Sequence, residues 1–306
     1  MCFVTSGGQA EIGIPGCSSH SYGEAQLDGK VSSAGARALR RSEKTEVARL
    51  TTIVVTRARG ALLNRALRSL EAQKSVRIEL VVVVDDCPLT CRFLETLHVP
   101  MGAVQSVQWT NVERDVCVRS GPKRLATLRN RGLEMVATRW CTYLDDDNEL
   151  EPQHLSTLLE CVMRSGSSAA HSWRSLWTRD VRPFYLRDRH PWCRDPELAK
   201  RLFAQYRDAG IYQSGSNIVR DQVVPFCRHV SMVDMSEWLF KTEFICGIRF
   251  VENYCTEDRE TSWAEDAKLL DEIVARGLRI PSTQKSTLRY YMGGYSNDWT
   301  NNNGWL

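Results

Sequence analysis

The sequence feature that most constrains the fold is an apolar run at residues 78–84, which reads Ile-Glu-Leu-Val-Val-Val-Val and ends at Asp85 and Asp86. Five consecutive aliphatic residues, four of them valine, favour a strand that is buried on both faces. Strands of this kind occur in parallel sheets, where helices cover both sides of the sheet. The run therefore predicts an α/β domain.

Strand-like and helix-like segments alternate along the chain from residue 51 onwards. This alternation predicts a parallel sheet with right-handed crossovers, whose ligands bind beyond the carboxyl ends of the strands. We expect a mostly parallel, mixed central sheet flanked by helices on both faces. Strands are predicted near residues 51–56, 78–84, 104–109, 140–144, 169–172 and 214–219, and helices near 62–73, 122–136, 152–163, 197–207 and 265–276, the last one ended by Gly277.

The chain divides at about residue 46 into two parts of different composition. Residues 1–46 are rich in Gly, Ser and Ala and lack apolar periodicity, which predicts a poorly ordered extension. Residues 47–306 are expected to form one domain that contains all of the predicted strands.

The charge, the cysteines and the lack of a long apolar run exclude several classes of protein. A formal net charge of +3 with evenly spread Lys and Arg does not suit a general nucleic-acid binder. Eleven scattered cysteines, an odd number with no secretory signal before them, predict reduced thiols in a cytoplasmic protein. Cys87 and Cys91 form a close pair, but no second Cys or His pair lies near them to complete a zinc site. No stretch approaches about 18 apolar residues, so we expect no membrane span.

Three consecutive acidic residues, Asp145, Asp146 and Asp147, follow the predicted strand at 140–144 and are termed the acidic triplet. Their mutual repulsion needs compensation, and a divalent cation is a common one. The alternative is a solvated turn, because Asp-Asp-Asp-Asn is also a good turn and helix-capping sequence. The position at the carboxyl end of a strand favours a site. Asp145 and Asp147, two residues apart, can lie on one side of the chain and link Mg²⁺ or Mn²⁺ to a diphosphate.

The triplet lies in a segment at 142–152, Thr-Tyr-Leu-Asp-Asp-Asp-Asn-Glu-Leu-Glu-Pro, that resembles the DXD segment of family-2 glycosyltransferases. Residues 53–57 and 67–73 are similar to the first strand and helix of that family, and Leu-Arg-Asn-Arg-Gly-Leu at 128–133 resembles its Ala-Arg-Asn-Arg-Gly helix. The resemblance runs from about residue 51 to 152. It implies a GT-A fold and a metal-dependent, inverting transfer of a sugar from a UDP-, dTDP- or GDP-linked donor to a sugar or small-molecule acceptor.

The same resemblance assigns roles within residues 47–152, the donor half of the domain. The planar guanidinium of Arg129 matches phosphate oxygens, and its alternative is a solvated helix residue paired with Glu134. The resemblance implies that Thr56 and Arg57 line the nucleotide pocket and that Asp85 or Asp86 accepts hydrogen bonds from the base. It also implies that Arg129 and Asn130 approach the ribose and diphosphate. Asp145 and Asp147 would then hold the ribose and the metal, with Asp146 beside them.

An inverting transfer needs a carboxylate that takes the proton of the acceptor hydroxyl. The sequence offers Glu265-Asp266 at the start of a predicted helix, and Glu257-Asp258 in loop-like surroundings. The first pair resembles the acidic pair that opens a helix in the family, so Asp266 is the preferred base, with Glu265 beside it. The alternative is that both carboxylates only stabilise the positive end of the helix.

The acceptor half, residues 153–306, contains an irregular stretch rich in Arg and aromatic residues at 173–206. Trp173, Arg174 and Trp177 are the acceptor candidates, because aromatic faces stack on sugar rings and arginines select anions. The alternative is a surface segment in which interleaved aspartates pair with the arginines. Residues 290–299 are expected to form a flexible lid that carries aromatic side chains.

Family-2 enzymes often add a late His to the metal site, but in this sequence no His follows His229. Tyr290, Tyr291 or Asn297 would contact the diphosphate more weakly.

Two other functions fit parts of the sequence. A sugar-phosphate nucleotidyltransferase usually has a Gly-rich loop after its first strand, but residues 56–60 contain one glycine. A catalytically inactive nucleotide-sugar binding module of GT-A shape is the other alternative.

Overall fold

The computed structural model describes residues 47–114, 121–255 and 264–294 of the chain. Its strands are β1 (Ala48–Thr56), β2 (Val76–Asp85), β3 (Val104–Val112), β4 (Trp140–Asp145), β5 (Glu149–Leu150), β6 (Ala169–Trp177), β7 (Ile218–Val219), β8 (Trp238–Lys241) and β9 (Ser282–Tyr291). Its helices are α1 (Gly60–Glu71), α2 (Pro88–Glu95), α3 (Gly121–Leu133), α4 (His154–Ser165), α5 (Pro196–Asp208), α6 (Thr242–Ile248) and α7 (Glu265–Ala275). Two 3₁₀ turns, Arg228–Val230 and Met235–Glu237, precede β8.

The described strands form one sheet in the order β3-β2-β1-β4-β8-β6-β9-β5, with β7 paired to β6. Strands β1 to β4 run parallel to one another, and β8 runs antiparallel between β4 and β6. The predicted mixed central sheet is confirmed. Because the carboxyl ends of β1, β2 and β4 meet at one edge, their last residues, Thr56, Asp85 and Asp145, lie along the same edge of the sheet.

Helices cover both faces of the parallel region, and β2 alternates its side chains between the two faces. Leu80, Val82 and Val84 belong to the core that contains the apolar face of α1. Val81 and Val83 belong to the core that contains α3 and α7. All five side chains are buried, and each contributes roughly 1.5–3 kcal/mol of burial free energy. The apolar run at 78–84 thus has the two-sided burial that its sequence predicts.

Helix α3 lies unusually close to β1 and β2 because Gly132 faces them. A Cβ atom at this position would lie 2.4 Å from Cγ2 of Ile53 and 3.2 Å from Cγ2 of Val83, so a larger residue would push the helix away. The close approach brings the preceding turn of α3, with Arg129 and Asn130, to the carboxyl edge of the sheet.

The second half of the domain differs more from the sequence predictions. Strand β6 continues to Trp177, whereas the pattern predicts irregular structure from residue 173. The strand predicted at 214–219 is limited to Ile218–Val219. The lid expected at 290–299 is wrong for Tyr290 and Tyr291, which are buried in β9. In β6, the buried Arg174 is held by ion pairs with Asp221 and Glu237 instead of aliphatic packing, and β9 buries Tyr290 and Tyr291, so the period-2 aliphatic pattern is obscured.

Several predictions concern residues outside the described ranges. These are the extension at 1–46, the alternative catalytic pair Glu257-Asp258, and Asn297.

Gly277 follows α7 with a φ of +66°, which confirms it as the residue that ends this helix. Among the described helices, none is long and apolar enough to cross a membrane.

Candidate active site

The acidic triplet turns away from the sheet directly after β4. Strand β4 is buried, and its last residue, Asp145, is in register with Val55 of β1. The backbone N–H of Asp145 donates to Oγ of Ser236 (3.1 Å), a fully buried side chain. The N–H of Asn148 donates to the carbonyl oxygen of Asp145 (3.1 Å) and closes a turn around the triplet. The carboxylates therefore project from a fixed backbone at the carboxyl edge of the sheet.

Arg129 connects the triplet with the helix that carries the preferred base. Its Nη2 donates to Oδ1 of Asp145 (2.9 Å), and its Nη1 lies 2.9 Å from Oε1 of Glu265 in an ion pair. Arg129 and Glu265 are 5% and 4% exposed, whereas the side chain of Asp145 is 33% exposed. One buried guanidinium thus joins the end of β4 to the start of α7, although these elements are far apart in the sequence.

Asp266 occupies the first turn of α7 next to Glu265 and is half-buried. Its Oδ1 accepts the backbone N–H of the following residue (2.7 Å). The charge of Asp266 acts on Arg129, Glu265 and Asp234, which places it beside the same cluster. Burial raises the pKa of Glu265 to about 7, although Arg129 opposes this rise. Glu265 therefore shares the guanidinium of Arg129 with Asp145, and Asp266 follows it in the first turn of α7.

Asp146 and Asp147 are held by residues from the end of β1 and from α1. Thr56 Oγ1 donates to Oδ2 of Asp146 (2.7 Å). Arg59 Nη1 donates to Oδ1 of Asp146 and to Oδ2 of Asp147, both at 2.9 Å. Arg65 Nη2 donates to the backbone carbonyl oxygen of Asp147 (2.5 Å). Burial and the two neighbouring carboxylates raise the pKa of Asp147 to about 6, and Arg59 opposes this rise.

Asp85, at the end of β2, is bound by two arginines. Arg114 donates from Nε and Nη2 to its two oxygens (3.2 and 2.8 Å), and Arg124 donates from Nε to Oδ1 (3.0 Å). Burial by itself raises the pKa of Asp85, but the hydrogen bonds and charges of the two arginines lower it overall. Asp86 is half-buried with a φ of +46°, and Arg57 is exposed at the end of β1. The carboxyl end of β2 therefore carries cations as well as carboxylates.

Asn130 holds a loop, which differs from the contact with ribose or diphosphate that the resemblance implies. Its Nδ2 donates to the carbonyl oxygen of Phe250 (2.8 Å) and to Oε1 of Glu252 (2.7 Å), and its Oδ1 accepts the N–H of Phe250 (3.0 Å). The amide is buried and ties α3 to the segment after α6. The alternative for Arg129 is also wrong, since Glu134 pairs with other arginines.

The expectation that Arg174 contacts an acceptor needs correction, because its guanidinium lies inside the protein. Arg174 is 3% exposed. Its Nη1 lies 3.0 Å from Oε2 of Glu237 and 3.9 Å from Oδ2 of Asp234, and its Nη2 lies 3.3 Å from Oδ1 of Asp221. Two aromatic rings cover it, with centroids 5.0 and 5.5 Å from Cζ. Acidic residues from beyond this stretch thus form a buried ion-pair cluster around Arg174, which neither prediction for the stretch included.

Trp173 and Trp177 are half-buried, and at least Trp177 does not share a face of β6 with Arg174. Its Nε1 donates to Oγ of Ser175 (2.8 Å), and the guanidinium of Arg289 lies over its ring at 5.1 Å. Side chains two residues apart lie on the same face of a strand, and those one or three apart lie on opposite faces. The three acceptor candidates therefore do not form one binding surface.

The triplet fits a divalent cation that arrives with a diphosphate. Among the residues that the structure describes, no group of three or more His, Cys, Asp or Glu is placed to hold an ion. Asp145 and Asp147 each keep one carboxylate oxygen that accepts no hydrogen bond from a described residue. These are hard oxygen donors, and Mg²⁺ at nucleotide sites commonly takes one or two carboxylates with substrate phosphates and water.

Sequence reasoning missed Arg59, Arg65 and Ser236. Arg59 directly precedes α1 and is only three residues from Thr56. Its closeness to the end of the first strand could have indicated that it belongs to the candidate site. Ser236 lies in a capping box formed by Asp234 and Glu237, a pattern that marks a helical turn. Nothing in the spacing indicates that this turn packs on the triplet, because β8 enters the sheet beside β4 only in the folded chain.

The family model described as Glycosyl transferase family 2 matches residues 51–224, a span that contains the triplet and ends before α7. No curated protein sequence matches the chain.

Solved structures of S. aureus TarS share the fold. The structure of TarS 1-349 has a TM-score of 0.53 at 14% identity, covering 81% of this chain and 61% of that chain. The structure of TarS 1-349 in complex with UDP has a TM-score of 0.50 at 14% identity, covering 81% and 62%. A further structure of TarS has a TM-score of 0.51 at 14% identity, covering 81% and 37%. The chain thus spans less than two thirds of the length of these structures, and the likeness concerns the fold alone.

Proposed function

The chain belongs to glycosyl transferase family 2, and we propose that it transfers a sugar from a nucleotide-diphosphate sugar to a hydroxyl group of an acceptor, with inversion at the anomeric carbon. The observation that carries the proposal is the bridge of Arg129 between Asp145 and Glu265. It supports one cleft in which a donor-binding carboxylate and the preferred base, Asp266, lie side by side.

The proposed donor site lies at the carboxyl ends of β1 and β2, where ligands of open α/β sheets bind. Thr56 and Arg57 end or follow β1, and Asp85 and Asp86 end or follow β2. The arginines around Asp85 suit an anionic nucleotide, because a planar guanidinium donates two parallel hydrogen bonds to phosphate oxygens. UDP is the first nucleotide to test, since one of the similar TarS structures contains it.

Asp266 is the proposed general base. In the transfer, the acceptor oxygen bonds to the anomeric carbon while the bond from that carbon to the diphosphate oxygen breaks. The acceptor proton passes to the carboxylate of Asp266, and the nucleoside diphosphate leaves with the bonding electron pair. Glu265 is paired with Arg129 and thereby orients the first turn of α7, which positions Asp266.

Asp147 and Asp145 are the proposed protein ligands of Mg²⁺ or Mn²⁺. When bound, such a cation offsets the negative charge that develops on the leaving diphosphate. Asp146 is bonded to Thr56 and Arg59, so we assign it to shaping the loop that carries its two neighbours.

Calorimetric titrations with UDP, dTDP and GDP, each with and without Mn²⁺, test the donor site. Transfer or hydrolysis of the matching nucleotide-sugar then tests catalysis in the wild type, Asp147→Ala and Asp266→Asn. We expect nucleotide binding to need Mn²⁺ and to weaken in Asp147→Ala. Asp266→Asn is expected to bind normally and to lose about 10²- to 10⁴-fold in rate. The matched control is Asp208→Asn at the exposed end of α5.

Each alternative has its own outcome in this experiment. Nucleotide binding that is absent, or unaffected by Mn²⁺, contradicts the donor mechanism. Metal-dependent binding without turnover of any nucleotide-sugar supports an inactive binding module. Full activity in Asp266→Asn together with its loss in Asp258→Asn moves the base to Asp258.

A further inference from the structure

Arg59 lies beside the acidic triplet, against the carboxylate of Asp147 that is a proposed ligand of the divalent cation. One nitrogen, Nη1, lies 2.9 Å from a carboxylate oxygen of Asp146 and 2.9 Å from a carboxylate oxygen of Asp147. The side chains of the two aspartates are 6% and 19% exposed. Hydrogen bonds between charged groups are stronger than neutral ones, and burial strengthens them further. A metal ion that approaches Asp147 therefore meets a carboxylate that already has a cation.

The surroundings of Arg59 also suit an anion. Arg59 directly precedes α1, whose first turn contains no acidic residue and whose N-terminus has no side-chain cap. Apart from Gly60 itself, its two neighbours and the adjacent backbone of α1, no heavy atom of the described residues lies within 4 Å of the place where a Cβ on Gly60 would be. The N-terminus of a helix carries partial positive charge and uncapped N–H groups that bind phosphate. The guanidinium and the helix thus favour a diphosphate at the same place.

Asp147 does not depend on Arg59 alone for its position. Arg65 holds the backbone carbonyl oxygen of Asp147 and stacks over the ring of Tyr291, with Cζ 3.7 Å from the ring centroid. The N–H of Tyr291 donates to Oδ1 of Asn148, the next residue after the triplet (3.2 Å). These contacts do not involve Arg59, so we expect the loop to keep its conformation when the contact between Arg59 and the carboxylate is lost.

We propose that Arg59 is an exchangeable counter-ion, which neutralises Asp146 and Asp147 in the free protein and moves to the donor diphosphate when a divalent cation takes the carboxylate of Asp147. This inference rests on the proposed function, because it gives Arg59 a role at the same donor site. It goes further by making the binding of metal and nucleotide interdependent. The metal alone competes with the positive charge of Arg59 for the Asp147 carboxylate, whereas the nucleotide offers that arginine another anionic partner.

The test is a titration of the full chain with Mn²⁺ in the absence of nucleotide, followed by calorimetry and by the electron paramagnetic resonance signal of free Mn²⁺. We expect Arg59→Gln to bind Mn²⁺ about tenfold more tightly than the wild type, equivalent to about 1.4 kcal/mol, because the neutral amide no longer competes. Arg59→Lys is expected to show a smaller increase, since its single ammonium lacks the planar fork of arginine. Adding UDP is expected to raise the affinity for Mn²⁺ more in the wild type than in Arg59→Gln.

Arg68→Gln is the matched control, because Arg68 is exposed on the same helix and its loss is expected to leave Mn²⁺ binding unchanged. Thermal unfolding shows whether each variant is folded. An affinity for Mn²⁺ in Arg59→Gln that is equal to or lower than that of the wild type overturns the inference. If that variant does not fold, the same result in Arg59→Lys overturns it.

The metal titration uses no nucleotide, so its result is separable from the proposed function. A wild type that binds no nucleotide at any Mn²⁺ concentration refutes the proposed function. The competition between Arg59 and the metal is then still decided by the difference between wild type and Arg59→Gln.

Discussion

Arg129 and Arg174 are both buried and both surrounded by carboxylates, yet their clusters differ in access to solvent. Arg129 pairs with Asp145, whose side chain is 33% exposed at the edge of the sheet. Arg174 pairs with Asp221 and Glu237, whose side chains are 0% exposed. The exposure of the partner carboxylates, more than that of the arginine, separates a cluster that can meet a substrate from one that only supports the fold.

The cluster of Arg174 with Asp221, Asp234 and Glu237, termed the closed cluster, also supports the cluster of Arg129 with Asp145 and Glu265, termed the open cluster. It contains three carboxylates for one arginine, and burial raises the pKa of Asp221 to about 6 and that of Asp234 to about 7. Burial thus favours the protonated forms of these carboxylates, while Arg174 favours their ionised forms. Through Glu237 the closed cluster fixes the turn that presents Ser236 to the backbone of Asp145. The position of the triplet is therefore linked to buried charges in the acceptor half.

The largest effect on stability is expected for Arg174→Met. Removing the guanidinium leaves Asp221 and Glu237 buried without their cation, and breaking a buried ion pair in this way costs about 3–5 kcal/mol. Urea unfolding followed by circular dichroism measures the change in the free energy of unfolding. A loss below about 1 kcal/mol would show that protonation alone neutralises the cluster, and that Arg174 is not its main support.

Arg129→Met is expected to affect activity more than stability, whereas Arg174→Met affects mainly stability. Arg129→Met leaves one buried carboxylate, Glu265, without its cation, whereas Asp145 can be hydrated. We therefore expect a smaller loss than for Arg174→Met, about 1–3 kcal/mol in the free energy of unfolding. Transfer activity is expected to fall about 10²-fold or more, because Asp145 and α7 lose their common anchor. Unfolding and rate measurements on the same preparation check both parts. Wild-type activity in a folded Arg129→Met would contradict the role assigned to the bridge.

The buried His190, which lies near Arg174 of the closed cluster, is expected to make the free energy of unfolding depend on pH. Burial lowers the pKa of His190 to about 3, and the charge of Arg174 contributes. Unfolded histidine protonates near pH 6.5, so the stability from neutral His190 is complete above that pH and is lost as the pH falls toward 3. His190→Phe is expected to reduce the pH dependence of the free energy of unfolding by about 1.4 kcal/mol per pH unit between about pH 6 and pH 4.

Urea unfolding of the wild type and His190→Phe at a series of pH values gives this slope. The difference between the two proteins above pH 7 measures the packing cost, including the hydrogen bond between His190 and Tyr212 (2.7 Å). The same slope in both proteins below pH 6 would mean that His190 is protonated in the folded state.

The smallest effect is expected for Arg131→Gln. Arg131 lies two residues after Arg129, but its ion pair with Glu134 is exposed, with side chains 51% and 46% accessible. Exposed pairs contribute about 0–1 kcal/mol, so the free energy of unfolding is expected to change by less than about 1 kcal/mol and the activity to stay the same. A loss as large as that of Arg129→Met would mean that exposure does not distinguish these arginines.

The sequence was most informative for the donor half. The valine run of β2 indicated two-sided burial, and the acidic residues that end β2 and β4 indicated the edge of the sheet at which we place the donor site. These features depend on neighbours in the chain and on strand periodicity, which a sequence states directly. The acceptor half was less predictable, because β6 and β9 bury arginine and tyrosine among carboxylates and so lack an alternating aliphatic pattern.

The valine run at 78–84 and the acidic triplet were enough to determine an α/β sheet with carboxylates at the ends of its strands. The tertiary structure decided which cations those carboxylates meet: Arg59 at Asp146 and Asp147, and Arg129 between Asp145 and Glu265. The physical reason is that an ion pair between distant residues depends on how α1, α3 and α7 pack around the sheet edge. Such packing follows from the whole core and not from the local spacing of charges.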